Sequence, residues 1–319
     1  MNAPRIAVVG SYATGLTMKV QWLPSTGETL LGSGYRVDYG GKGSNQAVGC
    51  ARLGAKVSLV AKIGKDSFGE MALGLYREEG IDVRHVQQTD RAPTGVGFIM
   101  VEAATGRNCI VLDAGANELL SAADVERCDG ALRDAAVVLT QLEIPVAAAE
   151  AALKQGRRQG ATTILNPAPV RPVPASVLSA VDVLTPNETE AKVLIGQSSE
   201  VAMAPEVVAR ELMGRGVRQI VMTLGEKGAL LAASGSVTRV PATPMTAVDT
   251  TGAGDAFNAG LATALAYGAK LQPAVEFAVV SGGLAVTKEG VIPSLPHLGE
   301  VVKFYQGRGL VLPDWLAAV

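Results

Sequence analysis

The sequence predicts an α/β protein with a doubly wound, mostly parallel β-sheet and a second, smaller β-sheet. Short aliphatic runs alternate with longer Ala- and Leu-rich segments, and two segments break that alternation. Nearly half of the residues are apolar (48%) and few are aromatic (4%), which favours helices packed closely on a sheet over an aromatic-rich β-sandwich. A chain of 319 residues is within the range of a large one-domain α/β fold, so we expect one domain over residues 1–319.

Short runs of β-branched and aliphatic residues, bounded by Gly, Pro or polar residues, are typical of buried strands. These runs are Ile6–Val9, Val57–Ala61, Val137–Thr140, Thr163–Leu165, Val183–Thr185 and Gln219–Thr223. The segments between them that show a helical pattern include Phe68–Glu79, Val146–Gln159, Glu188–Leu194 and Pro205–Arg215. This alternation predicts a sheet whose ligands bind at the carboxyl ends of its strands.

Two segments interrupt the alternation. Thr26–Gly40 contains several glycines and an alternating run, Tyr35–Tyr39, while Thr94–Asp113 alternates apolar with small or polar residues around a turn at Gly106. Both patterns are typical of strands in a separate small sheet rather than of βα units. We expect these insertions, at about 14–39 and 94–113, to form a β-sheet lid.

The charge balance argues against nucleic acid as a partner. The chain carries 28 basic and 30 acidic residues, for a formal net charge of −2, and therefore has no basic excess to neutralise a phosphate backbone. The three cysteines are isolated, and the two histidines lack the spacing of an HExxH motif. A zinc site or a histidine-based triad is therefore a poor interpretation.

Hydropathy argues against a membrane span. The longest uncharged run, Ala256–Ala269, is shorter than the roughly 18–20 residues that cross a bilayer. The chain opens as MNAPR ahead of a short apolar strand, without the layout of a signal peptide. We therefore expect no membrane partner and a cytoplasmic location.

The stretch Asp249–Asp255, DTTGAGD, has the strongest chemical signature. Its small residues, Gly252–Gly254, precede an Ala-rich helical segment, Ala256–Tyr267. Small residues let the backbone approach a ligand closely, and free N–H groups in the first turn of a helix favour an anion. The helix dipole stabilises the ionised form of Asp255, which suits it to accept the proton of a hydroxyl that attacks phosphorus. The alternative is a Gly-rich turn followed by an Asp that only favours a helix start.

A second Gly-rich motif, Gly40–Gln46 (GGKGSNQ), precedes the helical segment Ala47–Leu53. It is not a P-loop, because Gly43 stands where a P-loop has Ser or Thr. Its glycines bring the backbone close to a polar ligand, and Lys42 and Asn45 offer donors and acceptors that suit sugar hydroxyls. The alternative is a flexible surface turn.

Two further motifs follow predicted strands. Thr185–Glu190 contains Asn187 and Glu190, one helical turn apart, whose amide oxygen and carboxylate suit Mg²⁺. The same two residues also suit an N-cap with a capping box, and both interpretations can hold together. Thr223–Gly228 makes a tight turn at a strand end, where this architecture binds nucleotides.

In this order and spacing, the four motifs resemble the ribokinase-like (PfkB-type) family of carbohydrate kinases, and the ribokinase branch most of all. The similarity extends nearly from end to end, from Gly10 to Gly290. The segments that carry it are GGKGSNQA, GANELLS, QLEIP, NPAP, TPNETEA, TLGEKG and VDTTGAGDAFN. The resemblance implies that the two interrupting segments form the family's lid, which commonly serves as a dimer interface, so we expect a homodimer.

The resemblance also implies roles for individual residues. It implies Asp255 as the catalytic base and the backbone of Gly252, Ala253 and Gly254 as the anion hole. The residues that match sugar contacts are Gly41, Lys42, Gly43, Ser44, Asn45, Glu143 and Asp255. Those that match ATP contacts are Asn187, Thr223, Leu224, Gly225, Glu226, Lys227, Gly228 and Gly254. Glu190 completes a motif linked to Mg²⁺, and the residues that match a monovalent-cation loop, usually for K⁺, are Asp249, Thr251, Ala285, Lys288, Gly290 and Ser294.

The activity that the resemblance implies is transfer of the ATP γ-phosphoryl group to a primary hydroxyl of a small sugar, with D-ribose as the first expectation. One departure bears on the acceptor. Where ribokinases carry an Asn and an Asp that hold the sugar hydroxyls, this chain has Ala13 and Gly15, and Thr14 and Asp38 are the candidates to compensate. Two alternatives therefore stay open: a kinase of another pentose, ketose, polyol or nucleoside, and a catalytically silent sugar- or nucleotide-binding protein.

Overall fold

The computed structural model describes residues 3–317, so the first two and last two residues of the expected 1–319 domain lie outside the described residues. The strands form a nine-stranded sheet and a separate four-stranded sheet. The strands are β1 (Arg5–Val9), β2 (Ala13–Val20), β3 (Ser33–Gly40), β4 (Lys56–Gly64), β5 (Val86–Thr89), β6 (Gly95–Glu102), β7 (Asn108–Asp113), β8 (Val137–Gln141), β9 (Thr162–Asn166), β10 (Val183–Leu184), β11 (Gln219–Thr223), β12 (Ala229–Ala233) and β13 (Ser236–Val240). The predicted combination of a large, mostly parallel sheet with a small second sheet is confirmed.

The helices lie mainly between the strands of the large sheet. They are α1 (Lys42–Arg52), α2 (Ser67–Glu78), α3 (Ala122–Arg127), α4 (Asp129–Leu132), α5 (Val146–Arg158), α6 (Ala175–Leu178), α7 (Glu188–Leu194), α8 (Pro205–Gly214), α9 (Ala253–Ala266), α10 (Leu271–Ala285), α11 (Leu298–Gly307) and α12 (Asp314–Ala317). Across residues 3–317, none of the helices has both the length and the apolarity needed to cross a membrane.

The large sheet has the strand order β13-β12-β11-β10-β9-β8-β1-β4-β5. Strands β1, β4, β5 and β8 to β11 are parallel, whereas β12 and β13 add an antiparallel edge that the sequence pattern did not predict. From β1 the chain first builds the sheet outward to β4 and β5, and then returns to β8 on the other side. The strand order thus reverses between β1 and β8, and in open α/β sheets the carboxyl ends at such a point form a ligand crevice.

Both faces of the large sheet are covered by helices, which explains why its central strands consist almost entirely of apolar residues. One face packs against α1, α9 and α10, and the other against α5 and α8. The contact between α1 and α9 is especially close, because a β-carbon at Gly49 would lie 2.6 Å from that of Ala259. Gly49 is therefore required for the approach of these two helices.

Two helices begin earlier than predicted. The expected segments Ala47–Leu53 and Ala256–Tyr267 are parts of α1 and α9, which start at Lys42 and Ala253. The residue before each helix is a glycine in the left-handed region, Gly41 with φ 87° and Gly252 with φ 81°. Because glycine adopts this conformation without steric cost, the chain turns directly into the helix. The predicted binding residues that follow these glycines consequently lie in the first helical turns.

The four-stranded sheet has the order β3-β2-β6-β7, with β2 and β6 parallel and both outer pairs antiparallel. Strands β3, β6 and β7 come from the interrupting segments Thr26–Gly40 and Thr94–Asp113, whereas β2 precedes the first of them. One ion pair joins this sheet to a loop of the main body, with Arg36 Nη1 of β3 lying 3.1 Å from Glu289 Oε1 in the segment after α10. The small sheet otherwise exposes several large apolar side chains: Met18, Tyr35, Val37, Phe98, Ile110, Val111 and Leu112.

Candidate active site

A polar cleft of about 150 Å³ lies at the carboxyl ends of the large sheet. Its walls come from α1, from the ends of β9, β10 and β11, and from the first turns of α7 and α9. The lining residues are Lys42, Asn166, Ala168, Thr185, Asn187, Glu190, Thr223, Gly252, Gly254, Asp255 and Asn258. The structure thus brings together residues from all four motifs that the sequence singled out.

Asp255 lies in the first turn of α9 and is 6% exposed. Two consecutive amide side chains of α1 donate to its carboxylate: Asn45 Nδ2 to Oδ2 at 2.8 Å and Gln46 Nε2 to Oδ1 at 2.9 Å. Charge-assisted bonds to both oxygens fix the plane of the carboxylate. Because a carboxylate oxygen has more than one lone pair, each oxygen can still accept a proton from a hydroxyl in the cleft.

The turn before α9 presents free backbone donors to the same cleft. The N–H groups of Gly254 and Asp255 have no hydrogen-bond partner within residues 3–317, as expected for the first turn of a helix. A β-carbon at Gly252 would lie 2.8 Å from Val291 Cγ1, so this turn fits against its neighbouring loop only with glycine. Free N–H groups at a helix N-terminus next to a carboxylate can stabilise negative charge that develops on a phosphoryl group.

The turn Gly41–Gly43 is tied to the sheet through Glu143. Glu143 Oε2 accepts from Ser11 Oγ at 2.6 Å and from the backbone N–H of Lys42 at 2.8 Å. Gly43 lies so close to Ser11 that a β-carbon would be 2.3 Å from the Ser11 nitrogen. Glu143 therefore holds the turn in place, and it also lines a second, smaller cavity of about 40 Å³.

That second cavity lies between the large sheet and the small one. Its lining residues are Ala13, Leu112, Ala114, Asn117, Glu118, Glu143, Pro169 and Arg171. Gly15 pairs with Asp38 across β2 and β3, and alternation along the strands places both on the same face as Ala13 and Leu112. Thr14 lies on the opposite face, fully buried, and its Oγ1 donates to Tyr12 Oη at 3.1 Å. Of the two candidates to compensate for Ala13 and Gly15, only Asp38 is on the face that borders the cavity.

Asn187 and Glu190 form the capping box that the sequence allowed. Asn187 Oδ1 accepts from the Glu190 N–H at 2.8 Å, and Glu190 Oε2 accepts from the Asn187 N–H at 2.9 Å. Burial raises the pKa of Glu190, although the Asn187 N–H and Lys42 oppose this shift. Burial lowers the pKa of Lys42, but the carboxylates of Asp255, Glu143 and Glu190 outweigh this effect, so the Lys42 pKa is raised. The lysine therefore stays charged among three carboxylates.

The predicted nucleotide turn only partly borders the cleft. Thr223 lines it, and the Thr223 N–H donates to the Pro186 carbonyl at 3.0 Å, which joins this turn to the Asn187 motif. Leu224 is buried beneath the turn, whereas Gly225, Glu226 and Lys227 are exposed outside the cleft lining. Gly228, with φ 91°, closes the turn at a point where a β-carbon would lie 2.1 Å from the Val240 carbonyl oxygen.

The residues expected to hold a monovalent cation lie behind the turn that precedes α9. Asp249 Oδ1 accepts from Thr251, through both its N–H at 2.9 Å and its Oγ1 at 2.7 Å, and Asp249 Oδ2 accepts from the Gly290 N–H at 3.0 Å. Ala285 ends α10, Lys288 lies 2.5 Å from Glu300 through their charged groups, and Ser294 Oγ donates to the Val291 carbonyl at 2.7 Å. One carboxylate thus joins the two segments of the loop.

Sequence reasoning missed a chain of hydrogen-bonded polar side chains in the wall of the cleft and directly behind it. Gln46 Nε2 also donates to Asn166 Oδ1 at 3.0 Å, and Asn166 Nδ2 donates to the Thr185 carbonyl at 3.1 Å. Thr185 Oγ1 in turn donates to Asn258 Oδ1 at 2.6 Å, and Asn258 Nδ2 donates to the Gly254 carbonyl at 2.8 Å. The sequence feature that could have indicated these residues was the position of Asn166 and Thr185, each a polar residue at the carboxyl end of a buried strand.

Comparison with known proteins gives matches over nearly the whole chain. A family model described as pfkB family carbohydrate kinase matches residues 3–298. A ribokinase of Haemophilus influenzae is 36% identical over 301 residues, 94% of this chain and 98% of that protein. A deoxyribokinase of Salmonella typhi is 34% identical over 294 residues, 92% of this chain and 96% of that protein. The structure of Arabidopsis thaliana ribokinase complexed with ribose and ATP has a TM-score of 0.86 and 32% identity, and covers 94% of this chain and 98% of that chain.

The raised pKa of Glu190 leads to a stability prediction. Burial raises this pKa above its ordinary value of 4.5, so ionisation of Glu190 opposes folding. The stability of the folded state therefore falls as the pH rises from the ordinary pKa to the folded-state pKa. Glu190→Gln keeps an oxygen for the Asn187 N–H and removes the charge. We expect thermal melts to show a higher Tm than wild type at pH 7, and no difference below about pH 4.5. Glu188→Gln, at an exposed carboxylate of the same helical turn, is the control and should not raise Tm. A lower Tm for Glu190→Gln at pH 7 would contradict the prediction.

Proposed function

Because the chain belongs to the pfkB family of carbohydrate kinases and is an ATP-dependent sugar kinase, we propose that it phosphorylates a primary hydroxyl of D-ribose to give ribose 5-phosphate. The family resemblance inferred from the motifs is thereby confirmed. Asp255 is the single observation that carries the proposed mechanism, since a buried carboxylate held by two amides lies beside the free N–H groups of α9. The ribokinase relatives support ribose as the acceptor.

In this mechanism Asp255 takes the proton of the sugar hydroxyl as that hydroxyl attacks the γ-phosphorus of ATP. A positioned general base contributes about 10²–10⁴ in rate, and positioning and electrostatics contribute the rest. The N–H groups of Gly254 and Asp255 stabilise the charge that develops on the transferred group. The turn Thr223–Gly228 and Asn187 bind the nucleotide, and Thr223 and Asn187 line the cleft that leads to Asp255.

The acceptor is held by Gly41–Asn45 and Glu143. Asn45 Oδ1 is buried without a hydrogen-bond partner in the described part of the chain, so it is available to accept from a sugar hydroxyl. Lys42 extends into the cleft between the carboxylates and offers donors to both substrates. Closure of the small sheet over the cavity that Ala13 and Leu112 line would exclude water from the reaction.

Glu190 fits a role in Mg²⁺ binding. Its Oε2 is used in the capping box, whereas Oε1 makes no hydrogen bond within residues 3–317 and belongs to a residue that lines the cleft. Carboxylate oxygen is a ligand that Mg²⁺ prefers, with water and phosphate completing the shell. When bound, the ion neutralises charge on the phosphates.

A monovalent cation fits the loop around Asp249. The carbonyl oxygens of Thr251, Lys288 and Gly290 accept no hydrogen bond from any described residue, and backbone carbonyls are the ligands that replace the water shell of K⁺. Val291, in the same loop, packs against Gly252. Binding of K⁺ by this loop would therefore stabilise the turn that presents the N–H groups to the phosphoryl group.

A second candidate acceptor is another pentose, including a deoxypentose. The observation that favours it is the absence of polar side chains at Ala13 and Gly15, which leaves Asp38 as the nearest carboxylate on the same face of β2 and β3. The similarity to a deoxyribokinase supports this candidate as well. The alternative of a catalytically silent protein is not supported, because the chain is a sugar kinase with Asp255 and both of its amide donors in place.

We further propose that the protein is a homodimer that associates through the small sheet. On the face of that sheet opposite Ala13 and Leu112, the exposed apolar side chains include Tyr35, Phe98 and Val111, each more than half exposed, and Phe98 and Val111 are paired across β6 and β7. A contiguous apolar patch of this kind is typical of a protein interface, and a second copy of the sheet would cover it. A cytoplasmic location is proposed on the free thiols of Cys50, Cys109 and Cys128, of which Cys109 is exposed.

Replacement of the proposed base tests the mechanism. Asp255→Asn keeps the size of the side chain but cannot take the proton, so we expect kcat to fall by about 10²–10⁴ while ATP still binds. Coupled ADP detection measures turnover, and a fluorescent ATP analogue measures binding. Asp129→Asn, at an exposed carboxylate remote from the cleft, is the control. Wild-type-like turnover of Asp255→Asn would refute the assignment.

An acceptor panel decides which sugar is used. Ribose, 2-deoxyribose, other pentoses, hexoses, polyols and nucleosides are compared by kcat/KM, each with and without K⁺. We expect ribose to give the highest value and K⁺ to raise turnover. A higher kcat/KM for 2-deoxyribose would favour the second candidate, and equal rates without K⁺ would remove the cation from the mechanism.

Sedimentation equilibrium tests the homodimer. Phe98→Lys places a charge in the middle of the exposed apolar patch, and we expect it to convert a dimer into a monomer without loss of secondary structure. Lys19→Glu, an exposed change on the same sheet, controls for altered charge. A wild-type monomer at micromolar concentration would overturn the proposal.

A further inference from the structure

Gln46 is fully buried and makes three side-chain hydrogen bonds to three different elements of the fold. Its Nε2 donates to Asp255 Oδ1 of α9 at 2.9 Å and to Asn166 Oδ1 at the end of β9 at 3.0 Å. Its Oε1 accepts from Gln141 Nε2, at the end of β8, at 2.6 Å. Both amide hydrogens of Gln46 are thus used within the protein.

The direction of this network follows from Asp255. An ionised carboxylate only accepts, so the NH₂ group of Gln46 must face it. The Gln46 oxygen then faces Gln141, which must present its own NH₂ group. If the Gln46 amide were rotated by 180°, its oxygen would face the oxygens of Asp255 and Asn166, and its NH₂ group would face that of Gln141. The buried polar groups would then lose their hydrogen bonds, which is costly. Gln141 therefore fixes the orientation of Gln46, and Gln46 fixes one oxygen of Asp255.

Asn45 and Gln46 differ in what they leave free. Asn45 Nδ2 holds the other oxygen of Asp255, but its Oδ1 has no partner in the described chain, so Asn45 retains an unused acceptor atom. Gln46 has no donor left for a ligand, and neither Gln46 nor Asn45 is among the residues that line the cleft. Its interactions concern the base alone.

We propose that Gln46 is a positioning residue for the catalytic base, oriented by Gln141, and that it fixes the direction in which the Asp255 carboxylate faces the acceptor. This inference rests on the proposed function, in which Asp255 is the base. The charged groups that face the same cluster are Lys42 of α1, Glu143 after β8 and Glu190 of α7. Since none of them donates a hydrogen bond to Asp255, the two amides of α1 are its direct partners in the described chain.

Two substitutions separate positioning from a structural role. Gln46→Met fills a similar volume without the hydrogen bonds, and we expect kcat to fall by about 10- to 100-fold while KM for ATP changes less than about threefold. Gln46→Glu places a second carboxyl group within hydrogen-bond distance of the first, and such a pair retains one proton to higher pH. The acid limb of its kcat–pH profile should therefore move up by about one unit or more.

Gln155→Met is the matched control. Gln155 is also a buried glutamine whose Nε2 donates to a carboxylate at 2.9 Å, that of Asp129, but it lies on α5 away from the cleft. Its loss should lower Tm to a similar extent as Gln46→Met and leave kcat and the pH profile as in wild type. Circular dichroism and Tm verify that each variant is folded.

The outcomes distinguish this inference from the proposed function. If Asp255→Asn is inactive but Gln46→Met retains kcat within twofold of wild type, or Gln46→Glu leaves the acid limb in place, the positioning role is wrong and the base stands. If Asp255→Asn is fully active, the proposed mechanism fails first. A Gln46→Met/Asp255→Asn double variant no slower than Asp255→Asn alone would support the inference, because residues that act as one unit are not additive. A further multiplicative loss in the double variant would overturn it.

Discussion

The close contact between α1 and α9 is the constraint on which the site depends. Gly49 and Ala259 lie one helical turn after Asn45 and Asp255 respectively, and no side chain fits at position 49 without overlapping Ala259. Because a helix is rigid over one turn, the distance between the two helices at this contact also sets the distance between Asn45 and Asp255. The hydrogen bond between Asn45 and Asp255 is therefore a consequence of backbone packing in the apolar core.

The two ends of the site are built differently. The proposed phosphoryl-transfer end rests on first turns of helices and on ends of central strands, all of which are anchored in the two apolar cores. The proposed acceptor end lies between the large sheet and the small one, where Glu143 and Leu112 belong to different layers. Lys42 belongs to both ends, since its backbone N–H is bound by Glu143 while its ammonium group lies among the carboxylates of the cleft. The proposed chemistry thus lies on elements packed in the apolar cores, and the proposed acceptor recognition lies on a boundary between two sheets.

Local patterns in the sequence predicted much of this architecture. The strands around Val8 and Val221 and the position of Asp255 at a helix start follow from apolar runs and from glycine, which act over a few residues. The hydrogen bonds of Asp255 could not be predicted in the same way, because they join residues 209 and 210 positions apart through the packing of α1 on α9. The antiparallel edge, β12 and β13, was missed because its pairing partner is chosen by the sheet and not by its own pattern.

The ion pair between Arg36 and Glu289 has a consequence for how firmly the small sheet is held to the main body. Both side chains are largely solvated, with 45% and 65% of their surfaces exposed, and a pair of this kind contributes about 1 kcal/mol or less. Separation of the two sheets at this point therefore needs little more than thermal energy, and counter-ions at physiological concentration weaken the attraction further. Glu289 precedes Gly290, whose N–H is bound by Asp249, so this ion pair is attached to the loop behind the turn that precedes α9. The link between the small sheet and that loop is therefore weak and becomes weaker as ionic strength rises, while the apolar cores that hold the fold do not depend on it.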